Sequence, residues 1–220
     1  MAQEGAKVVI SSRQKKKVDQ AVAALRAEGL EVSGISAHVA KDRTRLIEFT
    51  VQTYGGIDII VNNAAINLHT GFIMETEESQ AIKTLEVNVL SGFLLVKEAL
   101  PYLERSQEAG ILFMTSYLGY IPNNMLGFYS VSKAALLGLV KCMALELTMK
   151  NIRVNGIAPA VVKTEFSKML WETEYAKNNP MSRMCMPEEV AATAAFLLSK
   201  DASYVSGEVV VMSGAIPTRL

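Results

Sequence analysis

Asp58-Ile59-Ile60-Val61-Asn62 is a short apolar run closed at both ends by polar residues, and it reads as a buried strand. Working outward, Gly55-Gly56 makes a turn just before it, and a helix ending at Tyr54 precedes that turn. Further upstream, Lys7 to Ser12 and Glu31 to His38 read as strands separated by a helix from Gln14 to Glu28. That helix buries Val18, Ala21, Val22 and Leu25 and stops at Gly29. Downstream, helices from about Thr84 to Glu104, Gly127 to Met149 and Pro187 to Leu198 alternate with strands. These strands are Gly110 to Ser116, Ile152 to Ala158 and Glu208 to Ser213. Such alternation predicts an α/β fold: a doubly wound parallel sheet covered by helices on both faces, with ligands at the carboxyl ends of the strands. Residues 1–220 read as one domain without repeat or linker.

Composition narrows the function classes. Half of the 220 residues are hydrophobic, and 22 basic side chains balance 22 acidic ones. Zero net charge argues against a general nucleic-acid binder or a polybasic membrane anchor. The apolar run Ala134 to Val140 is far shorter than the ~18 residues of a membrane span, so none is expected. Cys142 and Cys185 suit a reducing compartment, and His38 and His69 form no ligand motif, so no metal is expected.

The chemistry gathers at Tyr129-Ser130-Val131-Ser132-Lys133. Positions i and i+4 share one helix face, so a phenol stands beside an ammonium. The fixed positive charge is expected to lower the phenol's pKa, which is ~10 in water. Tyr129 can then exchange a proton with a substrate oxygen. A hydroxyl from Ser116, at the end of another strand, can hold that oxygen.

Around this pair stand Asn62-Asn63-Ala64-Ala65, Asn88 within Leu85-Glu86-Val87-Asn88-Val89, Ser116 after Ile111-Leu112-Phe113-Met114-Thr115, and Asn151-Ile152-Arg153-Val154-Asn155-Gly156-Ile157-Ala158-Pro159 with Thr164 beyond. In order and spacing the set resembles the short-chain dehydrogenases/reductases over essentially the whole chain. The resemblance implies a Rossmann-like fold and carbonyl reduction. It makes Tyr129 the proton donor, Ser116 the orienting hydroxyl, and Lys133 the group that depresses the Tyr129 pKa and binds the nicotinamide ribose. Asn88 would hold a water linking Lys133 to solvent. Ser116 and Tyr129 would therefore touch substrate, a small carbonyl or alcohol. The cofactor would be met by Ser12, Arg13, Val39, Asn62, Ala64, Tyr129, Lys133, Pro159 and Thr164. Arg13, at the end of a strand where an acidic residue would select NAD, instead favours the 2′-phosphate of NADP(H). Ala65 and Ala160 stand where the family usually has glycine, so alanine at the second bend is expected to crowd the nicotinamide.

The family's first strand and glycine-rich turn have no counterpart here, since Met1 to Gly5 reads as the tail of the first helix with Gly5 as its cap. In the family's strand order 3-2-1-4-5-6-7, this predicts a break between the strands Lys7 to Ser12 and Asp58 to Asn62. A catalytically incompetent member acting as an oligomerisation partner is the alternative to an active reductase. Phe166 to Met186, rich in methionine, reads as a substrate lid over an apolar pocket. The resemblance also implies pairing through the two long helices, about Thr84 to Glu104 and Gly127 to Met149, as a homodimer or homotetramer. Thr218-Arg219-Leu220 loosely resembles a peroxisomal tripeptide, which points to peroxisome or cytoplasm.

Overall fold

The computed structural model describes residues 1–173 and 179–218. Six parallel strands alternate with helices: β1 (Val8–Ser12), β2 (Val32–Ser36), β3 (Ile59–Asn62), β4 (Gly110–Met114), β5 (Arg153–Pro159) and β6 (Val209–Met212). The helices are α1 (Lys15–Ala27), α2 (Arg43–Tyr54), α3 (Glu78–Leu85), α4 (Ser91–Leu103), α5 (Gly127–Leu147) and α6 (Pro187–Leu198). The expected elements are all present, with one shift. The third helical segment starts at Glu78 rather than near Thr84, because the Glu77 N–H donates to the Gln80 side chain at 3.2 Å and caps it early.

The strands form two parallel sheets, β1–β2 and β3–β4–β5–β6. Among the described residues β1 and β3 share no ladder, which is the expected break in strand order. The consequence is visible in burial. No residue of β1 is fully buried, and Val61 of β3 is exposed, whereas the first four residues of the inner strand β4 all are buried.

Alternation along β4 distributes its side chains to two cores. Ile111 and Phe113 join Ile60, Val96, Leu103, Leu136 and Val140, the face covered by α4 and α5. Leu112 points the other way and packs with Ile157, Val190, Leu197 and Leu198 under α6. The helical stretch around α5, Gly127–Lys150, is long and apolar enough by composition to cross a bilayer, which the short run Ala134 to Val140 did not suggest. Here one face of α5 is packed in the core through Leu136, Val140, Met143 and Leu147.

Met1 to Gly5 forms a single 3-10 turn, Ala2–Glu4, closed by Gly5 at φ 89°. That positive φ is what a helix-capping glycine supplies.

Candidate active site

The site is built at the carboxyl end of β4 and the first turns of α5. Beyond β4, Thr115 is tied to β5 twice, through its N–H (2.8 Å) and its hydroxyl (3.0 Å), both donating to the Ile157 carbonyl. Ser116 follows, extended, and its Oγ accepts the Leu118 N–H at 3.2 Å, capping the turn Tyr117–Gly119. Gly119 makes this arrangement possible. A Cβ there would lie 2.9 Å from the Lys133 backbone carbonyl, so only glycine lets the turn carrying Ser116 press onto α5.

On α5, Tyr129 and Lys133 stand one turn apart, and Lys133 Nζ lies 5.4 Å from the centre of the Tyr129 ring. The Lys133 ammonium donates to the Met114 carbonyl at 2.7 Å, which ties α5 to the end of β4. Lys133 is only 2% exposed. Burial brings its pKa down to about 8. Burial likewise pushes the Tyr129 phenol up to about 12, against a hydrogen bond with Ser116 that pulls it down. The net shift of the phenol is thus upward, set by burial, and the group that pulls it down is Ser116.

Asn88 sits in a single turn of π-helix, Glu86–Leu90, inserted between α3 and α4. Such turns recur at functional sites because they re-aim one side chain. Asn88 Oδ1 accepts the Ile66 N–H at 2.8 Å, and Nδ2 donates to the Ile66 carbonyl at 2.9 Å and to Ser132 Oγ at 3.0 Å. Both amide hydrogens are used, so the side chain works as a clamp on the segment after β3. Sequence reasoning missed Ser132, although it stands directly before Lys133. The contact joins residues 44 apart, and no spacing rule reaches that far.

The expected cofactor residues lie along the carboxyl ends of the strands. Ser12 closes β1, and Arg13 follows it, exposed and without an ion pair among the described residues. Val39 lies in the turn beyond β2, where Asp42 accepts the His38 N–H at 2.8 Å. Asn62 ends β3, and its buried Nδ2 has no partner among the described residues. Ala64 beyond it is exposed. Pro159 ends β5, and its carbonyl accepts from Ser116 Oγ at 3.5 Å. Thr164 starts the turn Glu165–Leu170, its N–H donating to Ser167 Oγ at 3.3 Å.

Ala160 takes no positive φ, so the bend after β5 does not need the glycine expected there. Its N–H instead continues the ladder to the Met212 carbonyl at 2.9 Å.

The segment expected to form a lid begins beside the phenol. The Phe166 ring centre is 6.1 Å from that of Tyr129, and Phe166 is 56% exposed. Met125, Met169, Met181 and Met186 are also exposed. Residues 174–178 of the expected lid, and residues 219–220 of the C-terminal tripeptide, lie outside the described residues. Among the described residues no cluster of His, Cys, Asp and Glu is arranged to hold a metal.

Ser116, Tyr129 and Lys133 thus stand together where β4 ends and α5 begins, Ser116 and Lys133 buried and Tyr129 half-buried. Residues 1–215 match the protein family described as enoyl-(acyl carrier protein) reductase. Dehydrogenase/reductase SDR family member 4 of Oryctolagus cuniculus is 46% identical, over all of this chain and 87% of its own length. Among solved structures, a short-chain oxidoreductase of Pseudomonas aeruginosa bound to NADPH superposes with a TM-score of 0.92 at 27% identity, over 99% of this chain and 90% of its own. L-Sorbose reductase of Gluconobacter frateurii, complexed with NADPH and L-sorbose, gives 0.91 at 27% identity, over 100% and 90%. The chain belongs to the short-chain dehydrogenase/reductase family.

Proposed function

We propose that this protein is an NADPH-dependent reductase of carbonyl groups on apolar small molecules. The observation that carries the reading is the convergence of buried Ser116, half-buried Tyr129 and buried Lys133 at the end of β4.

The residues offered for NADP(H) suit it. Arg13 presents an exposed guanidinium without an ion pair among the described residues, and its fork matches a 2′-phosphate. Ala64 leaves exposed backbone beside the end of β3, and the buried Asn62 Nδ2 is a donor lacking an acceptor among the described residues. Thr164, Pro159, Ser12 and Val39 complete the strand-end rim. When bound, the cofactor supplies hydride. The chain's own groups then do the rest. The Tyr129 hydroxyl gives its proton to the carbonyl oxygen, and a phenol held near 12 keeps that proton until the oxygen becomes basic. Ser116 Oγ donates to the same oxygen and fixes its position. Lys133, still charged at neutral pH, supplies the positive potential behind the phenol and a hydrogen bond to the ribose. Asn88 clamps the segment after β3 with its side chain, and the water linking Lys133 to solvent is the further role assigned to it.

The exposed apolar side chains at Met125, Phe166, Met169 and Met181 support an apolar substrate. Ala134, Ala135 and Gly138 face outward on α5, which supports a homodimer or homotetramer formed through α4 and α5. A peroxisomal or cytoplasmic location rests on the likeness to the family member 4 relatives.

A second reading, a family member without turnover that acts as an oligomerisation partner, is favoured by one observation. Among the described residues β1 and β3 share no ladder, so the strands that lead to Arg13 and Asn62 belong to separate sheets. Calorimetric titration with NADPH, followed by ketone-dependent oxidation of NADPH, separates the two. Micromolar binding with turnover supports the reductase; absence of both supports the second reading.

A further inference from the structure

We propose that Ser132 is a positioning residue for the reaction: its hydroxyl joins the segment after β3 to the backbone of Tyr129. This inference rests on the reductase reading for its kinetic consequence but not for its structural one.

Ser132 is completely buried. Its hydroxyl donates to the Tyr129 carbonyl at 2.7 Å and accepts from Asn88 Nδ2 at 3.0 Å. Asn88 in turn holds both polar atoms of the Ile66 peptide, at 2.8 and 2.9 Å. The result is one unbroken chain: Ile66 peptide, Asn88 amide, Ser132 hydroxyl, Tyr129 carbonyl. At one end it fixes the stretch that continues Asn62 and Ala64, the residues offered to the cofactor. At the other it fixes the helical turn from which the phenol projects. A residue that tied down only one end would stabilise the fold without setting the distance between cofactor and proton donor.

No other residue type reproduces this bridge at that position. Alanine removes the acceptor and leaves one Asn88 N–H buried without a partner, which loosens the clamp on Ile66. Cysteine keeps the size but donates and accepts weakly. Threonine adds a methyl group where there is no exposed surface.

Ser130 provides an internal control. It is also buried, at 2% exposure, and also donates back along α5, to the Leu126 carbonyl at 2.8 Å. It also accepts the Asn123 N–H at 3.4 Å, and among the described residues it has no link to Asn88. Ser130→Ala therefore reports what a buried α5 hydroxyl contributes without the bridge to Asn88.

The test compares Ser132→Ala, Ser132→Cys and Ser130→Ala in the full chain. Steady-state reduction of an apolar ketone with NADPH gives kcat and KM, and amide and tyrosine-ring NMR resonances report the bridge itself. Ser132→Ala should lower kcat about tenfold with little change in ketone KM, because misplacement acts on the transition state. Ser132→Cys should fall between it and the parent, and Ser130→Ala should keep the parental kcat. In parallel, the Ile66 amide and Tyr129 ring resonances should move in Ser132→Ala and stay in Ser130→Ala. Unmoved resonances in a folded Ser132→Ala, or in Ser132→Cys should the alanine variant not fold, overturn the bridge. Moved resonances with equal kcat losses for Ser132→Ala and Ser130→Ala overturn the positioning role. A parent chain that reduces no ketone while the resonances move as expected refutes the reductase reading and leaves the bridge standing.

Discussion

Raising the pH should stabilise the fold, and replacing Lys133 should abolish that gain. Lys133 has a folded pKa of about 8, lowered by burial, against ~10.4 in an unfolded chain. Below about pH 8 both states carry the proton, and the folded state bears the cost of a buried ammonium. Between about 8 and 10.4 the unfolded chain binds more protons than the folded one, so stability rises with pH. At ~1.36 kcal/mol per unit, the increase from pH 7 to about pH 9.5 comes to roughly 2 kcal/mol. Tyr129 does not interfere within this window. Its folded value of about 12 lies above its unfolded ~10, so it keeps extra protons when folded and erodes stability only as pH climbs past ~10. The assay is urea unfolding of the parent and Lys133→Met at both pH values. The difference between the two chains cancels every other lysine. The parent should gain about 2 kcal/mol relative to Lys133→Met. Parallel pH profiles would show that Lys133 is not held in the desolvated position between β4 and α5.

Arg13→Ala should weaken NADPH binding by roughly 1–3 kcal/mol while leaving NADH nearly unchanged, because a charge-assisted contact to the 2′-phosphate is lost. Equal losses in a side-by-side titration would remove that role. Gly119→Ala forces a Cβ to within 2.9 Å of the Lys133 carbonyl. It should destabilise the chain by about 1–3 kcal/mol and reduce turnover, since the turn bearing Ser116 must move; thermal melts and initial rates measure both. Gly34→Ala places a Cβ 2.5 Å from Val18 Cγ1 and should cost stability by a similar amount without altering turnover, as it lies under α1.

How much of this was legible before the structure depended on distance along the chain. The strands were readable because their apolar runs are local, and the break between β1 and β3 followed from strand order. Tyr129 and Lys133 were readable because a helix turn brings i and i+4 together. The sign of the Tyr129 pKa shift was not. It depends on the desolvation imposed by surrounding elements, which no spacing within α5 reveals. The clamp that Asn88 makes on Ile66 was not legible, because Ile66 is 22 residues away and the π-turn that carries Asn88 has no sequence rule. The early start of α3 had a signal in Glu77 and Gln80, a capping-box spacing that apolar periodicity overlooks. That Ala160 can stand where glycine is usual was not legible either, since it depends on the backbone taking that bend without a positive φ.

The central claim is that Tyr129 is the proton donor in carbonyl reduction, and ketone-dependent oxidation of NADPH by the chain and by Tyr129→Phe tests it most directly. The substitution removes one hydroxyl from a ring already packed against Phe166 and Lys133, so the fold and cofactor affinity should persist. The account predicts a fall in kcat of about a hundredfold or more. Near-parental turnover by Tyr129→Phe would contradict it.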